Sequence, residues 1–183
     1  MEIFIYLLVS YLIGNFMTAS FVGKLYGVSL QDENSGNLGA RNAGRTLGKL
    51  AFMLTLLGDA FKGALVVIIG NSLDFSSFLI TLGILFVILG HLYPFWLRFK
   101  GGMGIATMIG SFLAFSPTFM LAMIAGTALF LIFTRSLTLS MIGGFMAYSF
   151  AILFSGNFHW SLLIGVLVLL TYEHRDNLMK RVR

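Results

Sequence analysis

Residues 104–134 read GIATMIGSFLAFSPTFMLAMIAGTALFLIFT, and this stretch decides how often the chain crosses a membrane. About 20 apolar residues cross a bilayer core of roughly 30 Å, whereas one straight helix over this stretch would be about 46 Å long. The sequence Ser116-Pro117-Thr118 favours a turn. We therefore predict two helices, Gly104–Phe115 and Thr118–Thr134, the first of them only about 18 Å long.

Five further stretches are apolar enough to cross a membrane, namely Ile3–Val22, Leu50–Gly70, Phe75–Tyr93, Leu137–Phe154 and Phe158–Tyr172. Only 10% of the 183 residues are charged, against about 25% in a typical soluble domain. No basic residue precedes the first stretch, so we expect it to be a retained span and not a cleaved signal peptide. The sequence predicts a single all-α integral membrane domain, residues 1–183, with seven transmembrane helices.

The positions of the basic residues orient these spans. Of the 12 Lys and Arg residues, all but Lys62 lie between predicted spans or after the last one: Lys24, Arg41, Arg45, Lys49, Arg98, Lys100, Arg135, Arg175, Lys180, Arg181 and Arg183. With seven spans and the N-terminus outside, all of these face the cytoplasm, as the positive-inside rule favours. Six spans would put the C-terminal cluster opposite the first loop. We predict a cytoplasmic C-terminus and basic, Gly-rich loops on the cytoplasmic side.

Lys62 lies inside the second span, three residues after Asp59. Two charges inside a membrane helix are costly unless they are paired and turned inward, and residues at this spacing share a helix face. The simpler interpretation is a structural ion pair that holds this span against the others. The alternative is that one of the two charges borders a substrate site.

The first predicted cytoplasmic loop, residues 31–46, is rich in Gly, Asn and Ser and carries Arg41 and Arg45. Glycines allow backbone N–H groups to turn toward an anion, and the guanidinium fork suits phosphate. If this part is helical, the two arginines share one face. The alternative is a flexible, solvated loop whose arginines only enforce the topology.

The second loop, residues 90–107, contains His91 and leads through Lys100, Gly101 and Gly102 into a helix. A Gly-rich turn at a helix N-terminus is a favourable anion site. Close helix packing is the alternative role for these glycines, and a carbonyl-bonded core residue is the commoner role for a lone histidine.

A third cluster, at the end of the last span, places His174, Arg175 and Asn177 within one helical turn, where an ordinary charged tail is the alternative. Three loops that carry Gly, Asn, Ser, His and cations could converge on one anionic ligand at the inner membrane face. No histidine is followed five residues later by aspartate, and the chain has no cysteine for thiol catalysis or a Cys-based zinc site. We expect no metal and no cofactor.

These three clusters, in this order, resemble the motifs of the bacterial acyl-phosphate:glycerol-3-phosphate acyltransferase family (PlsY). The first family motif is matched at Ser35, Gly36, Asn37, Gly39, Ala40, Asn42 and Arg45. The second is matched at Gly90, His91, Pro94, Phe99, Lys100, Gly101, Gly102, Gly104, Ala106 and Thr107. The third is matched at His174, Arg175 and Asn177. The resemblance spans nearly the whole chain.

The resemblance implies transfer of an acyl group from acyl phosphate to the 1-hydroxyl of glycerol 3-phosphate, giving lysophosphatidic acid for phospholipid biosynthesis. It implies catalytic roles for Ser35, His174 and Asn177. Substrate or phosphate binding is implied for Asn37, Arg41, Arg45, His91, Lys100, Gly101, Gly102 and Arg175. The implied location is the bacterial plasma membrane, with the site facing the cytoplasm. The implied partners are the two substrates, membrane lipid and a soluble enzyme that makes acyl phosphate; no nucleic acid is expected.

Two departures from the family pattern concern charge. Met103 replaces a lysine of the second motif, and Arg41 replaces a threonine of the first. We hypothesise that Arg41 compensates for the missing lysine at the same phosphate. One alternative function is a catalytically degenerate paralogue that binds lipid or acyl phosphate. A small transporter is a further alternative, but the predicted outer loops, which carry no Lys or Arg, are too short to line a polar path.

Overall fold

The computed structural model describes residues 1–157 and 160–182, and within these ranges the chain is helical with no strand. The α-helices are α1 Glu2–Asn15, α2 Thr18–Leu25, α3 Ala40–Leu47, α4 Lys49–Ser72, α5 Ser77–Leu92, α6 Ile105–Phe115, α7 Pro117–Thr134, α8 Leu137–Phe154, α9 Ser161–Glu173 and α10 Arg175–Val182. A one-turn 3-10 helix, Phe95–Leu97, follows α5. The first compact unit is Met1–Ala114, and the second runs from Phe115 onward.

Five of the described helical segments are long and apolar enough to cross a membrane, namely Glu2–Leu25, Lys49–Ser72, Ser77–Leu97, Pro117–Thr134 and Leu137–Phe154. The apolar helices α6 and α9 are shorter. Large apolar side chains remain exposed along these helices, among them Phe4, Leu57, Phe61, Ile132, Phe133, Phe154 and Val168. Water would penalise such a surface, so lipid is the solvent that these helices fit. The prediction of an all-helical membrane protein is confirmed, while the count of seven spans remains a prediction.

The turn predicted at Ser116 is confirmed, because α6 ends at Phe115 and α7 begins at Pro117. Ser116 has extended backbone angles, φ −153° and ψ 93°, and Pro117 occupies the first helical position. Proline suits this position because its fixed φ is helical and its missing N–H would have no partner there. The predicted start of the last span, Phe158, lies outside the described residues, and α9 begins at Ser161.

The predicted first span, Ile3–Val22, lies within the apolar segment Glu2–Leu25, but its helix is interrupted, because α1 ends at Asn15 and α2 begins at Thr18. Between them, Phe16 and Met17 are extended, with ψ of 108° and 96°. A break inside a membrane helix frees carbonyl groups that need new hydrogen-bond partners. The ammonium of Lys62 supplies them, donating to Gly14 O at 3.0 Å and Phe16 O at 2.6 Å.

Close backbone approaches hold the first unit together. A Cβ on Gly14 of α1 would collide with the carbonyl of Val87 on α5, and a Cβ on Gly110 of α6 would collide with the carbonyl of Ala60 on α4. Small residues at helix crossings allow the tight packing that stabilises membrane helices, where the hydrophobic effect between helices is absent.

The second unit is built around α7 and α8, which form a helical hairpin joined by Arg135 and Ser136. Gly126 of α7 and Gly143 of α8 lie at their shared seam. Near the start of α7, the ring of Phe119 packs edge-on against the ring of Trp160, with centroids 5.2 Å apart.

Candidate functional site

The first loop is organised by the side chain of Asn42, which is 1% exposed. Its Nδ2 donates to Leu30 O at 2.9 Å and to Glu33 O at 3.1 Å. Its Oδ1 accepts from the backbone N–H of Ser35 at 3.3 Å and from the Ser35 hydroxyl at 3.1 Å. A single buried amide therefore fixes both the backbone and the side chain of Ser35.

The loop continues into α3, so Arg41 and Arg45 lie one helical turn apart as expected. Ser35 and both arginines are exposed, and Asn37 is half-buried. The loop is tied down at a second point by Asn34, whose Nδ2 donates to the Thr46 hydroxyl at 2.9 Å. These bonds indicate an ordered loop that carries two exposed arginines. They argue against the alternative of a flexible, solvated loop.

The second loop folds back onto the end of α5. The N–H of Gly101 donates to Leu92 O at 3.0 Å, and that of Gly102 donates to His91 O at 3.1 Å. A Cβ on Gly101 would collide with His91 O, and one on Gly102 would collide with the imidazole Nε2 of His91. Close packing therefore explains both glycines. Their predicted role in phosphate binding remains a prediction, and their own amides are already hydrogen-bonded within the chain.

The first two loops lie side by side in the first unit. A Cβ on Gly102 would also come within 2.8 Å of Leu38 O, which belongs to the first loop. Lys100 is exposed, as is its neighbour Phe99. The structure thus brings the first predicted cluster next to the second.

A cavity of about 410 Å³ also opens between α2, the segment that follows it and parts of both loops. Its lining residues are Ser20, Lys24, Gly27, Val28, Ser29, Leu30, Gln31, Leu38, Trp96 and Leu97. Cavities that bind small molecules have about this volume. Within the described chain, however, none of the predicted phosphate ligands lines it, so we do not assign the substrate to this cavity.

His91 is 2% exposed and lies beneath the second loop. Its Nδ1 lies 3.8 Å from Asp59 Oδ1 and makes no hydrogen bond to the residues that the structure describes. Because the ring is buried against Gly102, its contacts favour a role in supporting the second loop. Direct contact of His91 with substrate remains a prediction.

The contacts of the ion pair inside α4 indicate a structural role. Lys62 Nζ lies 3.1 Å from Asp59 Oδ1, and the Thr18 hydroxyl donates to the same oxygen at 3.0 Å. With Gly14 O and Phe16 O as its other acceptors, the ammonium has a partner for each of its three hydrogens. This geometry favours the first of the two interpretations, in which the pair holds α4 against the broken first span.

The third cluster belongs to the second unit. His174 is 6% exposed, and its Nδ1 lies 2.9 Å from Leu170 O. Arg175 is exposed and turns toward Tyr172, with its guanidinium carbon 4.1 Å from the ring centroid and its Nη1 donating to Tyr172 O at 3.0 Å. Asn177 is half-buried on α10. Convergence of this cluster with the first two loops remains a prediction. Of the basic tail, Arg183 lies outside the described residues.

Among the described residues, no group of three or more His, Cys, Asp or Glu side chains could hold a metal ion. The sequence pattern assigns no individual role to Asn42 or Asn15, although both are buried and make hydrogen bonds through both the oxygen and the nitrogen of the side-chain amide. Their partners lie 7 to 12 residues away for Asn42 and up to 81 residues away for Asn15. No local sequence signal reports such contacts.

Comparison with known proteins gives consistent results. The family model for glycerol-3-phosphate acyltransferase matches residues 4–183. The chain is 46% identical to glycerol-3-phosphate acyltransferase 1 of Bacillus cereus over 136 residues, which is 74% of this chain and 73% of that protein. It is 38% identical to the glycerol-3-phosphate acyltransferase of Dechloromonas aromatica over 184 residues, covering 98% of this chain and 92% of that protein.

Solved structures agree with these relatives. Crystal structures of PlsY (YgiH), an integral membrane glycerol 3-phosphate acyltransferase, superpose in a glycerol 3-phosphate form with a TM-score of 0.89 and in a lysophosphatidic acid form with 0.87. Each is 29% identical in sequence, and each alignment covers 100% of this chain and 92% of the solved one.

Proposed function

The chain belongs to the glycerol-3-phosphate acyltransferase family, and from that premise we propose which residues act and which donor they use. The protein is a membrane acyltransferase that acylates glycerol 3-phosphate to lysophosphatidic acid in phospholipid synthesis. The proposed acyl donor is acyl phosphate, supplied by a soluble enzyme. The proposed topology has seven spans, with the N-terminus outside and the site facing the cytoplasm of a bacterial plasma membrane.

The observation that carries the proposal is the arrangement of the first loop. Asn42 fixes Ser35 by two hydrogen bonds, while Arg41 and Arg45 are exposed one turn apart on α3. Guanidinium groups bind phosphate oxygens through paired hydrogen bonds, and both substrates carry phosphate. Lys100 on the adjacent loop adds a third exposed cation. The N–H groups in the first turn of α6 lack partners within the helix and could add neutral donors.

The proposed reaction needs no covalent enzyme intermediate. The 1-hydroxyl oxygen of glycerol 3-phosphate attacks the acyl carbonyl carbon, the bond from that carbon to the phosphate oxygen breaks, and inorganic phosphate leaves. Acyl phosphate is already activated, so positioning and charge stabilisation can supply most of the rate. Ser35 and Asn177 would orient substrate oxygens. His174, whose Nδ1 lies 2.9 Å from Leu170 O, is the proposed acceptor of the hydroxyl proton.

The choice of donor can be tested with purified protein in detergent and radiolabelled glycerol 3-phosphate. Palmitoyl phosphate, palmitoyl-coenzyme A and the palmitoyl thioester of acyl carrier protein are supplied separately. We expect lysophosphatidic acid from palmitoyl phosphate, with one inorganic phosphate released per product, and less than a tenth of that rate from either thioester. Faster turnover of a thioester would contradict the proposed donor.

The proposed compensation between Arg41 and Met103 gives a second prediction. Arg41→Thr is expected to raise the KM for glycerol 3-phosphate or lower kcat, with a combined loss of about tenfold in kcat/KM, which corresponds to about 1.4 kcal/mol of transition-state binding. Steady-state kinetics check this, with Lys49→Thr as the control for removing a cation elsewhere on this side. Unchanged affinity and rate in Arg41→Thr would contradict the compensation.

A further inference from the structure

The break in the first span presents one residue, Asn15, to the second loop. In an uninterrupted helix the carbonyl of Asn15 would accept from the N–H of Ala19, four residues on. Here the chain is extended at Phe16 and Met17, and Asn15 O accepts from the indole Nε1 of Trp96 at 2.9 Å. The helix break thus frees a main-chain acceptor, and the second loop uses it.

The side chain of Asn15 adds a second bond to the same loop. Its Oδ1 accepts from the backbone N–H of Phe95 at 2.9 Å, while its Nδ2 donates to Tyr11 O at 2.7 Å. Asn15 is 4% exposed, so this amide is removed from water and its two bonds set its orientation. One turn earlier on α1, the hydroxyl of Tyr11 donates to Tyr93 O at 2.8 Å.

Main-chain hydrogen bonds connect this anchored part of the loop to Lys100. Pro94 O accepts from the N–H groups of Leu97 and Phe99, and Leu97 O accepts from the N–H of Lys100, each at 3.1 Å. Arg98 and Phe99 both have left-handed backbone angles, with φ of 52° and 59°. Such conformations are strained for residues with a Cβ and persist where the surrounding contacts enforce them. This loop therefore depends on its anchors.

We propose that Asn15 is a positioning residue for the second loop: it anchors Phe95 and Trp96 to the interrupted first span and so fixes the position of Lys100. The Lys62 ammonium supports the same break by bonding the carbonyls on either side of Asn15, those of Gly14 and Phe16. The inference rests on the proposed function in one respect, which is that Lys100 binds a substrate phosphate.

A double-mutant cycle between Asn15 and Lys100 tests this coupling. Asn15→Leu keeps a similar volume but removes the acceptor for Phe95 N–H. We expect it to lower kcat/KM about tenfold in the natural background and less than twofold in a Lys100→Ala background, because residues that act together are not additive. Ser10→Ala is the matched control, since Ser10 is also buried on α1 and donates to a main-chain carbonyl, Tyr6 O, away from the loop. Equal losses from Asn15→Leu in both backgrounds would overturn the proposal.

Fluorescence tests the anchor without any need for turnover. The chain has two tryptophans, so a Trp160→Phe background leaves Trp96 as the sole indole. We expect Asn15→Leu to move the Trp96 emission to longer wavelength and to increase its quenching by iodide, while Ser10→Ala changes neither. Identical spectra in Asn15→Leu and Ser10→Ala would overturn the proposal. Absence of product from the natural chain would instead count against the proposed function and would leave this readout intact.

Discussion

Lys62→Met is expected to lower the free energy of unfolding by about 3–5 kcal/mol, because removal of one partner leaves the other charge buried and unpaired. Asp59 is 1% exposed and would keep only the Thr18 hydroxyl as a hydrogen-bond donor among the described contacts. The carbonyls of Gly14 and Phe16 would also lose the ammonium that satisfies them. Loss of helical circular dichroism on heating or on titration with a denaturing detergent measures the effect.

Two further variants control for this result. Lys49→Met removes an exposed lysine from the first position of the same helix and is expected to leave stability nearly unchanged. The double variant Asp59→Asn with Lys62→Met removes both charges and is expected to be more stable than Lys62→Met alone. Equal stability of Lys62→Met and Lys49→Met would contradict a structural role for the ion pair.

The second large effect is expected at Asn42. Asn42→Leu removes four hydrogen bonds, two of them to Ser35, and leaves the carbonyls of Leu30 and Glu33 without this donor. We expect kcat/KM to fall about 100-fold, which is the scale of loss when a bound substrate is misplaced by roughly 1 Å. Steady-state production of lysophosphatidic acid gives the measurement, and circular dichroism verifies that the variant is folded.

Asn34→Gly is the matched control for this loop. It removes the exposed bond from Asn34 to Thr46, and glycine readily adopts the φ of 51° found there. Its kcat/KM is expected to stay within about threefold of that of the natural chain, which is the scale expected for one exposed hydrogen bond. Similar losses of kcat/KM in Asn42→Leu and Asn34→Gly would contradict a specific role for Asn42 in fixing the position of Ser35.

The parts of the fold that the sequence predicts are those with local causes. The turn at Ser116 follows from a proline that suits the start of a helix, and Leu137–Phe154 follows from an uninterrupted apolar stretch. The break at Phe16 and Met17 has no such cause, because neither proline nor a pair of small residues stands there. Contacts with Lys62 and Trp96, more than 40 residues away in sequence, stabilise it.

The candidate site divides in the same way. The helical spacing of Arg41 and Arg45 could be predicted from their positions, whereas the hold of Asn42 on Ser35 could not, since it depends on how the loop folds. From the sequence alone, Gly101 and Gly102 are compatible with both anion binding and close packing. Only the structure shows that a side chain at these two positions would collide with the carbonyl or the ring of His91.

Because Met103 stands where the second motif has a lysine, the activity of the natural chain tests the proposed function itself. Purified protein is given palmitoyl phosphate and glycerol 3-phosphate, with Met103→Lys assayed beside it and Lys100→Ala as the loss-of-function comparison. We expect the natural chain to form lysophosphatidic acid at a rate within about tenfold of Met103→Lys, because one lost cation is offset by Arg41. Product from Met103→Lys alone, or from neither folded protein, would contradict the claim that this chain, with methionine at position 103, is an active acyltransferase.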